Sequence, residues 1–328
     1  MVTSYWRGKR VLVTGGTGTF GRAFIARLLK MRGIERVIVL SRDEYKQHEM
    51  QKVFTDKRMQ YFLGDVRDRH RLHRAFNDVD IVVHAAALKQ VPALEYNPFE
   101  AVRTNVEGTQ NVIDAALDRD VERVVVISTD KAVHPINLYG ATKLTAERLA
   151  VSSNAYRGKK GKTRLSVVRY GNVIGSRGSF IELIDEQKKT GVITLTDERM
   201  TRFWIHIDDV TKVVVEAIER MEGGEIFVPK MESLRITDVI KQLAPKCKVK
   251  IVGIRPGEKL HEALITEHEV LRTKDIGTMY AILPEFGPKN AVERAYAKAR
   301  PFPKESLYIS DHYDFLRPRK EVKRILKL

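Results

Sequence analysis

One cysteine, two tryptophans and eleven prolines stand among the 328 residues. Cys247 alone can form neither an internal disulfide nor a zinc site, so neither an oxidising compartment nor structural metal is expected. Nowhere do about 20 uninterrupted apolar residues occur, the length a membrane span needs. Residues 1–10 lack the apolar core of a secretory signal, and the cytoplasm is the expected location. His84, His134, His206 and His261 fall at no metal-binding spacing and read as structural residues. What is present, 43% hydrophobic and 30% charged residues, is the balance of a soluble globular chain of one large or two moderate domains.

Acidic residues are also in deficit: 42 stand against 58 basic ones, a net charge of +16, with +12 of it in residues 1–170. Two basic clusters stand out: Arg157, Lys159, Lys160, Lys162 and Arg164, then Arg317, Arg319, Lys320, Lys323, Arg324 and Lys327. Neither interleaves aromatics for base stacking, so a solvated surface or the steering of an anionic small substrate is the expectation, rather than nucleic-acid binding.

From residue 10 onward, short β-branched runs alternate with longer amphipathic stretches. Arg10–Thr14, Arg36–Leu40, Met59–Leu63, Ile81–His84, Val124–Ile127 and Ser166–Arg169 read as strands. Alternation of this kind predicts a mostly parallel, doubly wound α/β sheet, and nearly continuous apolar strands fit a sheet covered on both faces. After Gly171 the pattern turns irregular, and regular helix resumes near Asp208. The expected division is a cofactor-binding domain over residues 1–172, with 208–228 returning to it, and a smaller mixed α/β domain over most of 173–328.

The first strand runs into Thr14-Gly15-Gly16-Thr17-Gly18-Thr19-Phe20-Gly21 and a helix expected over Arg22–Met31. Gly15, Gly18 and Gly21 permit a tight turn, close backbone approach to a pyrophosphate, and close helix–strand packing. Their spacing resembles that of the short-chain dehydrogenases/reductases, and implies a Rossmann-type dinucleotide site. After the second strand come Ser41, Arg42, Asp43 and Glu44. A hydroxyl and an arginine suit a ribose 2′-phosphate, which favours NADP over NAD; alternatively, Ser41 or Asp43 caps the next helix. Gly64-Asp65-Val66 and His84-Ala85-Ala86-Ala87 end the third and fourth strands, where that superfamily holds adenine and the cofactor ribose.

The fifth strand delivers Ser128-Thr129-Asp130-Lys131, and Tyr139 stands four residues before Lys143 on an expected helix. That spacing puts phenol and ammonium on one face, where the lysine charge and an adjacent nicotinium would lower Tyr139 from its reference of about 10. Tyr139 could then take a proton from a sugar hydroxyl. Epimerases and reductases need only a hydroxyl beside the tyrosine, a part Thr129 can play. An added acid and base, Asp130 and Lys131, suit a β-elimination: once C4 is a ketone, the C5 proton is acidic and the C6 hydroxyl can leave. A surface ion pair beside the site is the plainer alternative.

The run from Ser128 to Lys131 and on through Pro135-Ile136-Asn137-Leu138-Tyr139-Gly140-Ala141-Thr142-Lys143 resembles the UDP-N-acetylglucosamine 4,6-dehydratases that invert C5 and begin pseudaminic acid and related sugars. Ser41–Glu44, His84–Lys89, Arg169–Val173, Met200–Trp204 and Arg255–Glu262 agree, and the likeness fades beyond about residue 263. The resemblance implies NADP contacts at Thr17, Gly18, Thr19 and Phe20, and at Ser41, Arg42, Asp43, Glu44, Tyr45 and Lys46. It adds Asp65, Val66, Ala85, Thr104, Asn105, Tyr139, Lys143, Val173, Ile174, Gly175, Ser176 and Arg177. Substrate contacts would be Lys89, Asn172, Phe180, Thr196, Arg255 and Glu258. A cation at 255 can bind the diphosphate and a carboxylate at 258 the ribose hydroxyls.

The implied reaction starts with Tyr139 taking the C4 hydroxyl proton as NADP oxidises C4. Lys131 removes the C5 proton, Asp130 protonates the leaving C6 hydroxyl, and hydride returns to C6. A homo-oligomer is implied as well. The alternatives are a nucleotide-sugar 4-epimerase or reductase, and a basic Rossmann-type module that binds nucleotide or nucleic acid without turnover.

Overall fold

The computed structural model describes residues 4–158, 161–176, 178–286, 289–303 and 307–327; Lys159, Lys160 and Arg177, named above, lie outside them. Strands β1 (Arg10–Thr14), β2 (Arg36–Ser41), β3 (Met59–Leu63) and β4 (Ile81–His84) alternate with helices α1 (Thr19–Lys30), α2 (Glu44–Val53) and α3 (Arg69–Ala75). Short helices α4 (Val91–Tyr96) and α5 (Pro98–Val102) precede α6 (Gly108–Asp118), β5 (Arg123–Thr129), α7 (Leu138–Ser152) and β6 (Arg164–Tyr170). There follow β7 (Asn172–Ile174), α8 (Phe180–Gln187), β8 (Val192–Leu195), β9 (Thr201–His206), α9 (Ile207–Arg220) and β10 (Ile226–Pro229). Then come β11 (Glu232–Arg235), α10 (Ile236–Leu243), β12 (Lys248–Ile251), β13 (Ala263–Ile265) and α11 (Glu267–Val270). The chain closes with β14 (Thr273–Asp275), β15 (Met279–Ile282), α12 (Lys289–Ala295), β16 (Arg300–Pro301), β17 (Tyr308–Ile309) and α13 (Val322–Leu326).

Among the described residues the main sheet has ten strands in the order β16-β14-β15-β10-β6-β5-β4-β1-β2-β3. It is parallel from β3 to β10 and antiparallel beyond. Chain direction across the sheet reverses between β1 and β4, so a crevice opens at their carboxyl ends, where doubly wound sheets bind ligands. Val11–Val13 and Ile81–Val83 are fully buried, as strands covered on both faces should be. On one face Arg27 of α1 donates to Thr211 Oγ1 of α9 at 2.5 Å, which pins a late helix over the first one.

The doubly wound α/β class expected from the sequence is the one observed. Several element ends shift by one to three residues from the sequence reading, and two differences bear on the site. β5 runs on to Thr129, so it carries Ser128 and Thr129 to the edge of the crevice. Helix α8 lies inside the stretch read as irregular; Ser179 caps it by accepting from Glu182 N, and apolar Ile184 is buried.

β10 pairs with β6, and β14, β15 and β16 continue the same sheet, so residues 173–328 supply four of its ten strands. Of the remaining small sheets, β11-β9-β7 and β12-β8 contribute to a second core that includes Ile184, Ile193, Leu195, Trp204, Leu234, Val239 and Leu326, whereas β13-β17 buries Leu264, Ile265 and Tyr308 in the main core. Among the described residues no helix is long and apolar enough to cross a membrane. Much of the basic tail is neutralised in place: Arg317 and Arg324 reach Glu232 at 2.8 and 2.9 Å, and Lys327 reaches Asp209 at 2.9 Å.

Candidate active site

The glycine turn shapes one end of the crevice. Gly15 has φ +65, and a Cβ there would sit 2.8 Å from Ala86 N, so only glycine lets the β1 and β4 ends approach. A Cβ on Gly21 would lie 2.5 Å from Gly16 Cα, which keeps α1 tight against the turn. Gly18 leaves the amino end of α1 without a side-chain cap, its amides available to an anion. These features fit a dinucleotide pyrophosphate.

Along the next strand end, Thr17 Oγ1 and Ser41 Oγ share a hydrogen bond of 2.9 Å. Arg42 is half exposed, with Nη1 3.6 Å from Asp65 Oδ2. Asp43 caps α2 through Lys46 N at 2.9 Å and pairs with Lys46 Nζ at 2.6 Å, so its carboxylate is already committed locally. Glu44 and Tyr45 lie in the first turn of that helix, and Tyr45 is exposed. Asn105 is buried; its amide clamps Leu88 N and O at 2.8 and 2.9 Å and reaches Thr142 Oγ1 at 3.1 Å. It holds the loop after β4 in place. The neighbouring Thr104 Oγ1 is buried without a hydrogen-bond partner, and Val66 is buried in the core.

A cavity of about 480 Å³ joins Gly15 and Gly18–Gly21 to Ala85, Lys89, Thr129, Asp130, Lys131, Tyr139, Lys143, Asn172, Val173, Ser176 and Phe180. Residues chosen from seven stretches of sequence therefore share one space. Ile174, Gly175, Thr196, Arg255 and Glu258 are not on its wall. Thr196 is buried with Oγ1 3.0 Å from Met200 Sδ, and Arg255 is exposed. Glu258 sits behind the site with Oε1 3.8 Å from Arg202 Nη2.

Helix α7 presents the tyrosine and lysine. Asn137 caps it by accepting from Gly140 N at 2.8 Å, and Asn137 Nδ2 donates to Gly257 O at 2.8 Å, which docks the Pro-Gly turn against the helix start. Lys143 Nζ donates to Ile127 O at 2.6 Å, and burial lowers its ammonium to about 8. Tyr139 departs from expectation: enclosure pushes its phenol up to about 12, and the cation acting against that rise is Lys131, not Lys143. The reason is geometric, since the Lys143 amine is turned to the β5 carbonyl while Thr129 and Lys131 face the phenol. His84, bonded to Thr14 Oγ1 at 2.7 Å and Thr109 Oγ1 at 3.0 Å, is lowered to about 3 by burial and stays neutral.

Asp130 is fully buried. Its Oδ1 accepts from Thr129 Oγ1 at 2.9 Å and from Lys131 Nζ at 3.1 Å, while Oδ2 has no hydrogen-bond partner. Burial raises this carboxyl, Lys131 opposes the rise, and Glu262 adds to it. For Lys131, burial favours the free amine, but Asp130 and Glu262 outweigh it and hold an ammonium above the usual lysine range. Lys131, expected to remove the C5 proton, carries a proton at rest. Glu262 was overlooked as a site residue. It lies 3.4 Å from Lys131 Nζ, and the only signal for it was its place at the end of the Arg255–Glu262 stretch.

Comparison with known proteins bears on the chain as a whole. The family described as polysaccharide biosynthesis protein matches residues 11–284. Over 283 residues, 85% of this chain and 84% of its relative, the sequence is 50% identical to a UDP-N-acetylglucosamine 4,6-dehydratase (inverting) from Campylobacter jejuni subsp. jejuni serotype O:23/36. It is 40% identical over 298 residues, 88% of this chain and 86% of the relative, to a UDP-glucose 4-epimerase from Rickettsia conorii. The X-ray structure of Pen from Bacillus thuringiensis superposes with a TM-score of 0.89 at 38% identity, covering 98% of both chains. With a family match over most of its length and half its aligned residues shared with an inverting dehydratase, this chain belongs to the polysaccharide biosynthesis protein family of the extended short-chain dehydrogenase/reductase superfamily.

Proposed function

We propose that this protein is a lyase that dehydrates UDP-N-acetylglucosamine across C4 to C6 and inverts C5, giving UDP-2-acetamido-2,6-dideoxy-β-L-arabino-hex-4-ulose. The observation that carries the reading is the Asp130–Lys131 pair, its carboxylate fully buried, on the same cavity wall as Tyr139. A 4-epimerase has no need of that pair, although Tyr139, Lys143 and Thr129 would serve one, and the 40% identical relative bears an epimerase name.

A nicotinamide dinucleotide fits the Gly15–Gly21 cradle and, when bound, supplies reversible redox chemistry at C4 and C6. NADP is the proposed form, because Asp43 is occupied as a helix cap while half-exposed Arg42 stands ready for a 2′-phosphate. The Tyr139 phenolate, favoured by Lys131 and further by the positive charge of a bound nicotinium, takes the C4 hydroxyl proton at Oη while Thr129 orients the ring. With C4 a ketone, the proton on Lys131 Nζ passes along the 3.1 Å hydrogen bond to Asp130 Oδ1. That single transfer creates both reagents of the elimination: a neutral amine to accept the C5 proton and a carboxylic acid to protonate the leaving C6 hydroxyl as water. Burial of Asp130 favours its neutral form and so favours the transfer. C5 is then reprotonated on the opposite face.

Residues 1–172 would mainly serve the cofactor and most of 173–328 the nucleotide sugar, with Lys89, Asn172 and Phe180 nearest the sugar. A cytoplasmic homo-oligomer serving pseudaminic-acid-type sugars completes the reading; Tyr96 and Phe99, 90% and 78% exposed, are candidates for a covered face. Mass spectrometry of UDP-N-acetylglucosamine after incubation tests it. Loss of one water is expected; an unchanged mass with a new epimer would indicate the epimerase, and no reaction a binding module.

A further inference from the structure

Glu262 has no part in the chemistry above, yet its carboxylate is 2% exposed and lies directly behind the reacting lysine. An enclosed carboxylate persists only beside matching cations. Three surround it: Lys259 Nζ at 3.1 Å, Lys131 Nζ at 3.4 Å and Arg202 Nε at 4.0 Å. Two of them are committed elsewhere. Lys259 also donates to Val133 O at 2.6 Å, and Arg202 donates to the carbonyls of Thr201, Lys259 and Leu260 at 2.7 to 2.9 Å. Of the three, Lys131 alone lines the cavity.

The backbone of Glu262 is itself fixed. Glu262 N donates to Ser310 Oγ at 2.9 Å, Ser310 N donates back to Glu262 O at 2.8 Å, and Ser310 Oγ meets Thr201 Oγ1 at 2.6 Å. The carboxylate is thus seated by the segment after β17, more than 170 residues from the lysine it faces.

We propose that Glu262 is a positioning residue, which holds the Lys131 amine against Asp130 and sets the pH range over which that pair can exchange its proton. The inference deepens the functional reading above and rests on it. Lys131 lies between two carboxylates, Asp130 from the end of β5 and Glu262 from the segment before β13. Tyr139 from α7, Lys89 from the loop after β4, Arg202 from β9 and Lys259 complete the charged and titratable groups around the pair. Negative charge from Glu262 stabilises the ammonium that forms when Lys131 accepts the C5 proton. The same charge makes every proton in the cluster harder to remove, so it moves both apparent ionisations of the pair upward.

The test is the pH profile of kcat for the cofactor-loaded protein turning over UDP-N-acetylglucosamine. Glu262→Gln keeps the shape and removes the charge; both limbs should move to lower pH by about one unit or more, with kcat down about tenfold and KM within about threefold. Lys259→Met removes a competing cation and leaves the Glu262 charge to Lys131, so both limbs should move to higher pH. Shifts of opposite sign do not follow from general damage to the fold. Should Glu262→Gln not fold, Glu262→Asp, which keeps the charge but withdraws it from Lys131, should move both limbs to lower pH by a smaller amount. Limbs within about 0.2 units of the unmodified protein in every folded variant, while the unmodified protein dehydrates normally, would overturn the role of Glu262. Absence of dehydration by the unmodified protein would instead remove the functional reading beneath it.

Discussion

Replacing Arg169 by methionine should destabilise the protein by an amount that the structure allows to be worked out. The guanidinium is fully buried between two carboxylates. Nε and Nη2 reach Glu147 at 3.0 and 2.7 Å, Nη1 and Nη2 reach Glu269 at 2.9 and 3.0 Å, and Nη1 also donates to Leu264 O at 2.9 Å. Methionine keeps the apolar stem and strands both glutamates in the interior. Breaking such a buried pair from one side costs about 3–5 kcal/mol, because the uncompensated charge remains. Unfolding entropy of about 2 cal/mol/K per residue gives about 0.7 kcal/mol/K for a chain of this length, so Tm should fall by about 4–7 °C.

Calorimetry at pH 7 measures that fall, and adding Glu147→Gln and Glu269→Gln to the same protein should recover at least half of it. A Tm for Arg169→Met within about 1 °C of the unmodified protein would refute the reasoning. The pH dependence has a definite sign. Burial alone would raise Glu269, but Arg169 outweighs it and holds the carboxyl down from 4.5 to about 2. A depressed carboxylate contributes stability above its unfolded pKa and loses it as pH falls, so the difference between the two proteins should narrow between about pH 4.5 and 2. Glu147 also lies four residues beyond Lys143 on α7 and raises that ammonium electrostatically, so freeing it from Arg169 should raise Lys143 further.

Other measurements address the chemistry. The unmodified protein should bind NADP more tightly than NAD, and Arg42→Ala should erode that preference by about 10- to 100-fold; equal affinities in the unmodified protein would sink the assignment. Tyr139→Phe should cost about 10²-fold or more in rate. Lys131→Ala removes the cation that acts on Tyr139 as well as the C5 base, so in single turnover the transient reduced-cofactor absorbance should form more slowly and no dehydrated product should follow; normal dehydration would remove Lys131 from the mechanism. Substrate deuterated at C4 should yield product deuterated at C6, and turnover in heavy water should place deuterium at C5. NMR couplings should report the L-arabino configuration, and a product that is D-xylo from its first appearance would defeat inversion.

The sheet was legible because its information is local. Five of the six early strands are short β-branched runs and the third, Met59–Leu63, is instead marked by Tyr61 and Phe62, while Gly15 and Gly21 mark a turn whose crowding excludes a side chain. Helix α8 was hidden by the glycines on either side of it, Gly175, Gly178 and Gly191, which made the whole stretch read as irregular. The three antiparallel strands at the far edge are two to four residues long, too short for a period of two to declare itself.

Residue type in a motif specifies which groups a site contains, whereas protonation depends on what stands behind them. Tyr139 and Lys143 are four apart on one helix, and from spacing alone the lysine is the cation that tunes the phenol. In the fold, Lys143 spends its nearest hydrogen bond on Ile127, and Lys131 takes over that role. Lys131 in turn owes its charge first to adjacent Asp130 and then to Glu262, a partner 131 positions away that no local pattern couples to it. The two halves of the chain therefore meet in the electrostatics of one amine. The first half supplies the reacting groups, and the segment between β12 and β13 decides which of them holds the proton before substrate arrives.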